Sequence, residues 1–216
     1  MLIVTLAGGI GSGKSTVAAA LAECGARLLS LDDVARDVLS PGEEAVREVG
    51  DLWPEAVREG KIDRAALARI VFDDAAALAR LNAVVHPRTW ERAQAQLASW
   101  REESLQAQSA REFVVVVELA LLAGSPYQDA YHGTIVVDAP EDVRVLRLVD
   151  SRGMDEADAR ARIASQTPAS RVRELADVVV DNGGSLEDAA RAARELWEGW
   201  LVPYAANMRE GRRVFG

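Results

Sequence analysis

Cysteine, histidine and lysine are scarce in this sequence of 216 residues, which has one cysteine, two histidines and two lysines. A lone cysteine, Cys24, cannot form an internal disulfide, and two histidines with one cysteine cannot build a structural zinc site. No apolar run in the sequence approaches the roughly 18 residues that a membrane-spanning helix needs. These absences exclude a disulfide scaffold, a zinc-dependent fold and a membrane-spanning helix.

Basic residues are also in deficit, because 34 acidic side chains against 25 basic ones leave a net charge of −9. Such a charge repels phosphate backbones and anionic lipids, so we expect neither nucleic acid nor a membrane as a partner. The amino terminus has no basic segment followed by a long apolar run, so no secretory signal is expected. The sequence therefore favours a cytoplasmic protein that acts on small molecules, and it leaves the oligomeric state open.

Five short apolar runs without polar alternation are typical of strands that are buried on both faces. Helical patterns separate most of them, which is the alternation of a parallel sheet with crossover helices. The runs comprise residues 2–6, 28–31, 113–117, 135–137 and 178–180. We therefore predict an α/β fold with a doubly wound sheet of five parallel strands.

The interval between the second and third runs is too long for a simple crossover, and apolar residues recur through it at helical spacing. Helices are predicted there at residues 64–71, 75–85 and 87–104. The prediction is a helical substrate-binding subdomain at residues 35–111, inserted into a core of residues 1–34, 112–140 and 175–216. Residues 141–174 include a stretch that is rich in arginine and poor in bulky apolar side chains, and they are the candidate for a helical lid.

Residues 8–15 read GGIGSGKS, which matches the phosphate-binding pattern G-x-x-x-x-G-K-[ST] between an apolar strand and a helix. The backbone N–H groups of such a loop can approach phosphate oxygens closely, and the following helix directs its positive dipole end to the same charge. Lys14 is expected to reach the β- and γ-phosphates, Ser15 to ligate Mg²⁺, and Thr16 to add a phosphate contact. The other nucleotide-binding residues predicted in this loop are Gly9, Gly11, Ser12 and Gly13. The alternative is a glycine-rich turn with a solvated lysine.

Two aspartates, Asp32 and Asp33, follow the second strand at the edge of the sheet where this class of fold binds ligands. In phosphoryl transfer, a carboxylate there can orient an acceptor hydroxyl and accept its proton. Asp32 is the candidate base, with Asp33 as the substitute. The alternative is that either aspartate caps a helix that begins near Val34. A GTPase is not favoured, because the guanine-specificity motif N-K-x-D does not occur.

At these residues and at several downstream motifs, the chain resembles the dephospho-coenzyme A kinases. The resemblance covers the chain nearly from end to end. The matching segments are residues 6–16 (LAGGIGSGKST), 32–36 (DDVAR), 60–64 (GKIDR), 70–72 (IVF), 81–82 (LN), 86–87 (HP), 162–166 (RIASQ) and 176–182 (ADVVVDN). The resemblance implies a P-loop kinase core, a helical domain for a CoA-like substrate, and a lid. It also implies transfer of the γ-phosphate of ATP to the ribose 3′-hydroxyl of dephospho-CoA, the last step of coenzyme A biosynthesis, with Asp32 as the base.

The resemblance further suggests roles for residues outside the glycine-rich loop. Asn182 is predicted to contact the nucleotide, and Arg64 and His86 are predicted to contact the substrate. For His86 the residues themselves leave an alternative, since a histidine that precedes a proline at a helix start is often structural.

Two arginines on one predicted helix, Arg144 and Arg147, are candidates for binding the transferred phosphate. They could equally pair with Glu141 and Asp150 on a solvated face of that helix. Arg147 matches the family's lid better, and it is the arginine predicted to take part in catalysis.

The sequence departs from the pattern of the family at three places. Ser30 stands where the first of two spaced aspartates is usual, and Ser151 stands where a second lid arginine is usual. After the third strand, the usual Pro-Leu-Leu and nearby Glu are replaced by Ala120, Leu121 and Leu122 followed by Gly124. Two alternatives therefore stay open: another P-loop kinase for a nucleoside, nucleotide or other small molecule, and a non-catalytic ATP-binding switch.

Overall fold

The computed structural model describes residues 1–72, 74–106, 113–119 and 131–210 of the chain. The strands in these residues are β1 (Leu2–Gly8), β2 (Arg27–Ser30), β3 (Val57–Arg58), β4 (Lys61–Ile62), β5 (Val114–Glu118), β6 (Thr134–Asp138) and β7 (Val178–Asp181). The α-helices are α1 (Lys14–Cys24), α2 (Leu31–Val38), α3 (Glu44–Leu52), α4 (Arg64–Phe72), α5 (Ala75–Gln106), α6 (Glu141–Arg152), α7 (Glu156–Ala164), α8 (Ala169–Arg173), α9 (Leu186–Leu196) and α10 (Val202–Arg209). A short 3₁₀ turn (Pro54–Ala56) precedes β3, and a π-helical segment (Trp197–Leu201) joins α9 to α10.

The large sheet is parallel and has the strand order β2-β5-β1-β6-β7. The central strand β1 pairs with β5 on one side and with β6 on the other, so the chain turns to opposite sides of β1 as the sheet is built. In open sheets of this kind, ligands bind at the carboxyl end of the strand where the order reverses. The α/β class and the five-stranded sheet predicted from the sequence are confirmed.

The central strand and the helix that follows it are fixed by apolar burial. Leu2, Val4 and Leu6 on β1 are completely buried, as are Val17 and Leu21 on α1. Burying a side chain of this size stabilises a fold by roughly 1.5–3 kcal/mol. The loop between β1 and α1 is therefore held at both ends by the core.

The chain forms two compact units, one made of Met1–Leu29 with Arg101–Gly216 and the other of Ser30–Trp100. The first unit contains the large sheet. The second unit has its own apolar cluster, formed by Val38, Ala45, Val49, Trp53, Ala56, Leu67, Ala77, Val84 and Val85. The division of the chain by function, with residues 35–111 as the substrate-binding part and 141–174 as a lid, stays a prediction.

The sequence pattern predicts that this part of the chain is helical throughout, and that prediction is wrong for one segment of the second unit. Strands β3 and β4 form a two-stranded antiparallel hairpin. Its turn consists of Glu59 and Gly60, with φ angles of +51° and +71°. Two consecutive residues with positive φ are the turn that a two-residue hairpin loop favours.

Helix α5 is a single helix of 32 residues with Pro87 inside it, so the predicted break between residues 85 and 87 is wrong. Proline lacks the N–H of the helical ladder and crowds the turn before it. In that turn, the carbonyls of Val84 and Val85 accept side-chain hydrogen bonds of 2.9 Å from Arg88 and Thr89, respectively. Because the helix continues through Pro87, His86 lies within it rather than at its start.

None of the helices in the described part of the chain combines the length and the hydrophobicity that a bilayer-spanning segment requires.

Candidate active site

The segment of residues 9–13, here called the glycine loop, connects β1 to α1. Gly11 and Gly13 have φ angles of +75° and +82°, in the left-handed region that glycine adopts without a steric penalty. Gly13 is also the residue that precedes α1, and no side chain caps the amino end of this helix. The first N–H groups of α1 are thus left without the usual side-chain acceptor.

Hydrogen bonds inside the glycine loop use only some of its N–H groups. The N–H of Ser12 donates to the Gly9 carbonyl at 3.1 Å, and that of Thr16 donates to the Gly13 carbonyl at 3.0 Å. In the glycine loop and the first turn of α1, five N–H groups form no hydrogen bond with any described residue: those of Gly9, Gly11, Gly13, Lys14 and Ser15. Unpaired N–H groups at a helix amino terminus, with the positive end of the helix dipole behind them, favour the binding of an anion such as a phosphate.

Lys14, the first residue of α1, lies beside two strand ends. Its Nζ donates a hydrogen bond of 2.8 Å to the carbonyl of Leu119, which directly follows β5. Because β5 is the neighbour of β1 in the sheet, the ammonium group lies at the edge where the glycine loop begins. An ammonium has three donors, so two remain for oxygens of a ligand.

Ser15 is exposed on the first turn of α1, next to Lys14. No group of three or more histidine, cysteine, aspartate or glutamate side chains that could hold a metal is found in the described residues. A nucleotide-bound Mg²⁺ needs no such cluster, because phosphate oxygens and water supply most of its ligands. One serine hydroxyl at this position fits that kind of coordination.

Asn182, which follows β7, is only 3% exposed and contacts the glycine loop. Its Nδ2 donates a hydrogen bond of 2.7 Å to the carbonyl of Ser12. A Cβ added to Gly13 would collide with the same Nδ2. Asn182 therefore supports the backbone of the loop, while its predicted contact with the nucleotide stays a prediction.

Arg147 on α6 also lies against the glycine loop. Its guanidinium donates to the carbonyl of Ser12 at 3.3 Å and to that of Gly184 at 3.1 Å. Among the described residues it forms no ion pair with Glu141 or Asp150, so the predicted pairing on a solvated face is wrong for this arginine. The structure thus brings Lys14, Arg147 and Asn182 to one loop.

Arg144, one turn earlier on α6, is 8% exposed and binds the loop through Ile10. Its Nε donates to the Ile10 carbonyl at 2.8 Å, and one terminal nitrogen donates to Oε1 of Gln166 at 3.0 Å. Burial lowers the pKa of Arg144, whereas the negative charges of Asp138 and Glu141 oppose that shift. The sequence left two roles open for Arg144. Its burial and its bonds to Ile10 and Gln166 contradict pairing on a solvated face, while its contact with the transferred phosphate stays a prediction.

Sequence reasoning gave no role to Gln166 and none to Asp138. Gln166 Oε1 accepts a hydrogen bond of 2.9 Å from the N–H of Ile10. Asp138, at the end of β6, is mostly buried and accepts a hydrogen bond of 2.6 Å from Nε of Arg173. A signal for Asp138 was available, because it follows an apolar strand at the ligand-binding edge of the sheet.

Asp32 and Asp33 lie in the first turn of α2, in the second unit. The cap of this helix is Ser30, whose side chain accepts a hydrogen bond of 3.2 Å from the N–H of Asp33, so the prediction that an aspartate caps a helix near Val34 is wrong. The Asp33 carboxylate forms an ion pair with Arg36. The Asp32 carboxylate is exposed and has no hydrogen bond or ion pair within the described ranges.

The other predicted substrate-binding residues belong to the second unit as well. Arg64 is exposed at the start of α4, and His86 is exposed within α5. Their contacts with a substrate stay predictions. The departures from the family pattern at Ala120, Leu121, Leu122 and Gly124 lie outside the described residues.

Comparison with known proteins agrees with the motifs of this site. A family model described as dephospho-CoA kinase matches residues 2–188. A dephospho-CoA kinase of Thermobifida fusca is 42% identical over 200 residues, which are 92% of this chain and 96% of that protein. The dephospho-CoA kinase of Mycolicibacterium paratuberculosis is 38% identical over 210 residues, and this chain spans about half (49%) of its length.

A solved structure extends the comparison to the fold. A crystal structure of a Thermus thermophilus protein superposes with a TM-score of 0.77 at 36% sequence identity. The match covers 92% of this chain and 97% of that one.

Proposed function

Because this chain belongs to the dephospho-CoA kinase family, we propose that the glycine loop and Asp32 carry out transfer of the γ-phosphate of ATP to the ribose 3′-hydroxyl of dephospho-CoA. The chain is an ATP-dependent kinase, and the reaction of its family is the last step of CoA biosynthesis. The products of the transfer are CoA and ADP.

The observation that carries the proposal is the set of unpaired N–H groups at Gly11, Gly13, Lys14 and Ser15, with the Lys14 ammonium beside them. In phosphoryl transfer, most of the catalysis comes from positioning and from stabilising negative charge on the phosphoryl oxygens. Fixed N–H groups supply this stabilisation without reorganising during the reaction. Lys14 adds a full positive charge at the β- and γ-phosphates, and Arg147 adds a second cation.

Asp32 has the properties that the acceptor side of the reaction needs. Its carboxylate is exposed and unpaired among the described residues, whereas Asp33 is engaged with Arg36. Asp32 orients the ribose 3′-hydroxyl and accepts its proton as the new P–O bond forms. Arg64 and His86 bind the CoA-like substrate.

The Ser15 hydroxyl is the protein's proposed ligand for Mg²⁺. When bound, the ion neutralises charge on the β- and γ-phosphate oxygens. We further propose a cytoplasmic location and no nucleic-acid partner, on the support of the lone cysteine and the net charge of −9.

The proposal is tested by incubating the protein with ATP, Mg²⁺ and dephospho-CoA and by measuring CoA and ADP. Formation of both products in equal amounts is expected. A parallel panel of nucleosides, nucleotides and sugars identifies another small-molecule kinase if one of them is phosphorylated instead. ATP binding without release of ADP in the presence of any acceptor would instead identify a nucleotide-dependent switch.

A further inference from the structure

Ile10, the second residue of the glycine loop, is held on both sides of its backbone by side chains from the predicted lid. Its N–H donates to Oε1 of Gln166 at 2.9 Å, and its carbonyl accepts from Nε of Arg144 at 2.8 Å. Arg144 also donates to Oε1 of Gln166 at 3.0 Å, which closes the set of three bonds. Both partners of Oε1 are donors, so the amide oxygen, and not the nitrogen, must face the loop.

The side chain of Ile10 is held too. It packs against a small apolar cluster formed by Val145 and Leu148 of α6 with Ala159 and Ile163 of α7. Arg144 also occupies the space beside the two neighbouring glycines. A Cβ on Gly9 would lie 2.5 Å from a terminal nitrogen of Arg144, and one on Gly11 would lie 2.7 Å from its carbonyl oxygen.

These contacts set the direction of the neighbouring peptide groups. In a trans peptide, the carbonyl of one residue and the N–H of the next point to opposite sides. The bond from Arg144 to the Ile10 carbonyl therefore turns the N–H of Gly11 to the opposite side, where it has no partner among the described residues. The bond from Ile10 to Gln166 likewise turns the Gly9 carbonyl away from Gln166, and there it accepts the N–H of Ser12.

We propose that Arg144 and Gln166 are positioning residues that hold the two peptide groups flanking Ile10, so that the Gly11 N–H is directed at the phosphates of ATP. The residues act through the loop, and neither needs to touch the nucleotide. This inference rests on the use of ATP by the family and not on the identity of the acceptor. It assigns to the predicted lid a role in preparing the phosphate site.

The decisive experiment compares two substitutions of similar size at Gln166, which is only partly buried. Gln166→Glu keeps an oxygen acceptor for Ile10 and Arg144, whereas Gln166→Met fills the space but accepts neither bond. ATP binding is measured by calorimetry without any acceptor, followed by kcat and KM for ATP and dephospho-CoA. Arg160→Gln serves as the control, because Arg160 lies in the same lid but pairs only with Glu141, Asp142 and Glu156 among the described residues.

Gln166→Met is expected to weaken ATP binding about 30-fold, since it removes two hydrogen bonds and each typically contributes about fivefold. Gln166→Glu should stay within about threefold of the unmodified protein, although its charge opposes phosphate slightly. The KM for dephospho-CoA should hardly change in either variant. The melting temperature should hardly change in Gln166→Glu and should fall by roughly 4–8 °C in Gln166→Met, since each lost bond corresponds to roughly 2–4 °C in a chain of this size. Arg144→Lys should weaken ATP binding as Gln166→Met does, because one ammonium cannot reproduce the two directed bonds of the guanidinium.

Wild-type ATP affinity in Gln166→Met, or equal losses in the Met and Glu variants, would overturn the proposal. If Arg144→Lys does not fold, the comparison at Gln166 still decides the question. Failure of the unmodified protein to make CoA would contradict the proposed acceptor, and the ATP-binding results would still test the positioning role.

Discussion

The side-chain amide of Asn182 donates a hydrogen bond to the carbonyl of Ser12, across 170 residues of sequence. By the geometry of the trans peptide, this bond turns the N–H of Gly13 to the opposite side, away from Asn182. That N–H forms no hydrogen bond with any described residue. Asn182 therefore directs the N–H of Gly13 in the way that Arg144 directs the N–H of Gly11. The glycine loop is positioned by the residue that follows β7 as well as by the predicted lid.

Asn182→Asp should weaken ATP binding strongly, because it replaces a donor by a carboxylate that faces the Ser12 carbonyl. Leaving a buried group unsatisfied costs roughly 1–3 kcal/mol, which corresponds to about 5- to 150-fold in affinity. Calorimetry with ATP measures the effect. The control is Asn207→Asp, the same change at a half-exposed position on α10. Equal affinities in the two variants would show that the Ser12 bond does not prepare the loop.

Gly13→Ala should abolish tight ATP binding, whereas Gly153→Ala should not. Both glycines have positive φ, +82° and +60°, so both variants carry the left-handed penalty of roughly 1–2 kcal/mol. Only at Gly13 does the new Cβ collide with another side chain, that of Asn182, since nothing lies within 4 Å of a Cβ at Gly153. Melting temperatures report the shared penalty, and ATP titrations report the difference. A similar loss of ATP affinity in both variants would assign the effect to backbone strain alone.

The parts of the site that the sequence predicted are local in the chain. The glycine loop, Lys14 and Ser15 follow from one pattern within nine residues of the first strand, because strand, loop and helix are continuous. The ties from Arg144 and Gln166 to Ile10 span 134 and 156 residues, so no local pattern encodes them. They depend on the packing of α6 and α7 beside the loop, which only the folded chain supplies.

Errors in the predicted fold also have local physical causes. A proline usually ends a helix, but Pro87 removes only the one N–H that would bond the Ala83 carbonyl, and α5 continues through it. The hairpin of β3 and β4 has only two residues in each strand, too few to display an alternating pattern. The turn of Glu59 and Gly60 was its only local signal.

Lys14→Met should lower kcat/KM for ATP about 100-fold. The substitution removes a hydrogen-bond donor and a positive charge from the place where negative charge develops on the phosphate oxygens. The chain supplies its own control, because Lys61 is its only other lysine and lies exposed on β4. Lys61→Met should leave the kinetics unchanged. ATP should also protect Lys14, but not Lys61, from an amine-reactive reagent, as measured by mass spectrometry. If ATP does not reduce the labelling of Lys14, the phosphate contact of Lys14 is contradicted.

Asp32→Asn should lower kcat by roughly 10²- to 10⁴-fold, the range for loss of a general base, with little effect on ATP affinity. Asp33→Asn is the matched control, because it makes the same change one residue away at a carboxylate that is paired with Arg36. A modest effect on kcat is expected there. Steady-state kinetics with saturating ATP separate the two variants. A larger loss at Asp33 than at Asp32 would reassign the base.

The stability of the protein should fall as the pH drops from 7 to 5, and His132 should account for part of that slope. Its Nδ1 accepts the N–H of Ile3 at 3.0 Å when the ring is neutral, and it also lies 3.1 Å from the Ile3 carbonyl. Partial burial is the main cause that lowers its pKa below the ordinary 6.5. The hydrogen bond with Ile3 opposes that shift, and the charges of the amino terminus and Arg101 add to it. The unfolded chain therefore binds the proton first as pH falls, so the free energy of unfolding decreases below about pH 6.5 until the folded-state pKa is passed. His132→Asn keeps an acceptor for Ile3 but cannot titrate, so its urea-unfolding free energy should depend less on pH. His86→Asn controls for removal of an imidazole, and identical pH slopes in the two variants would exclude His132 as the source.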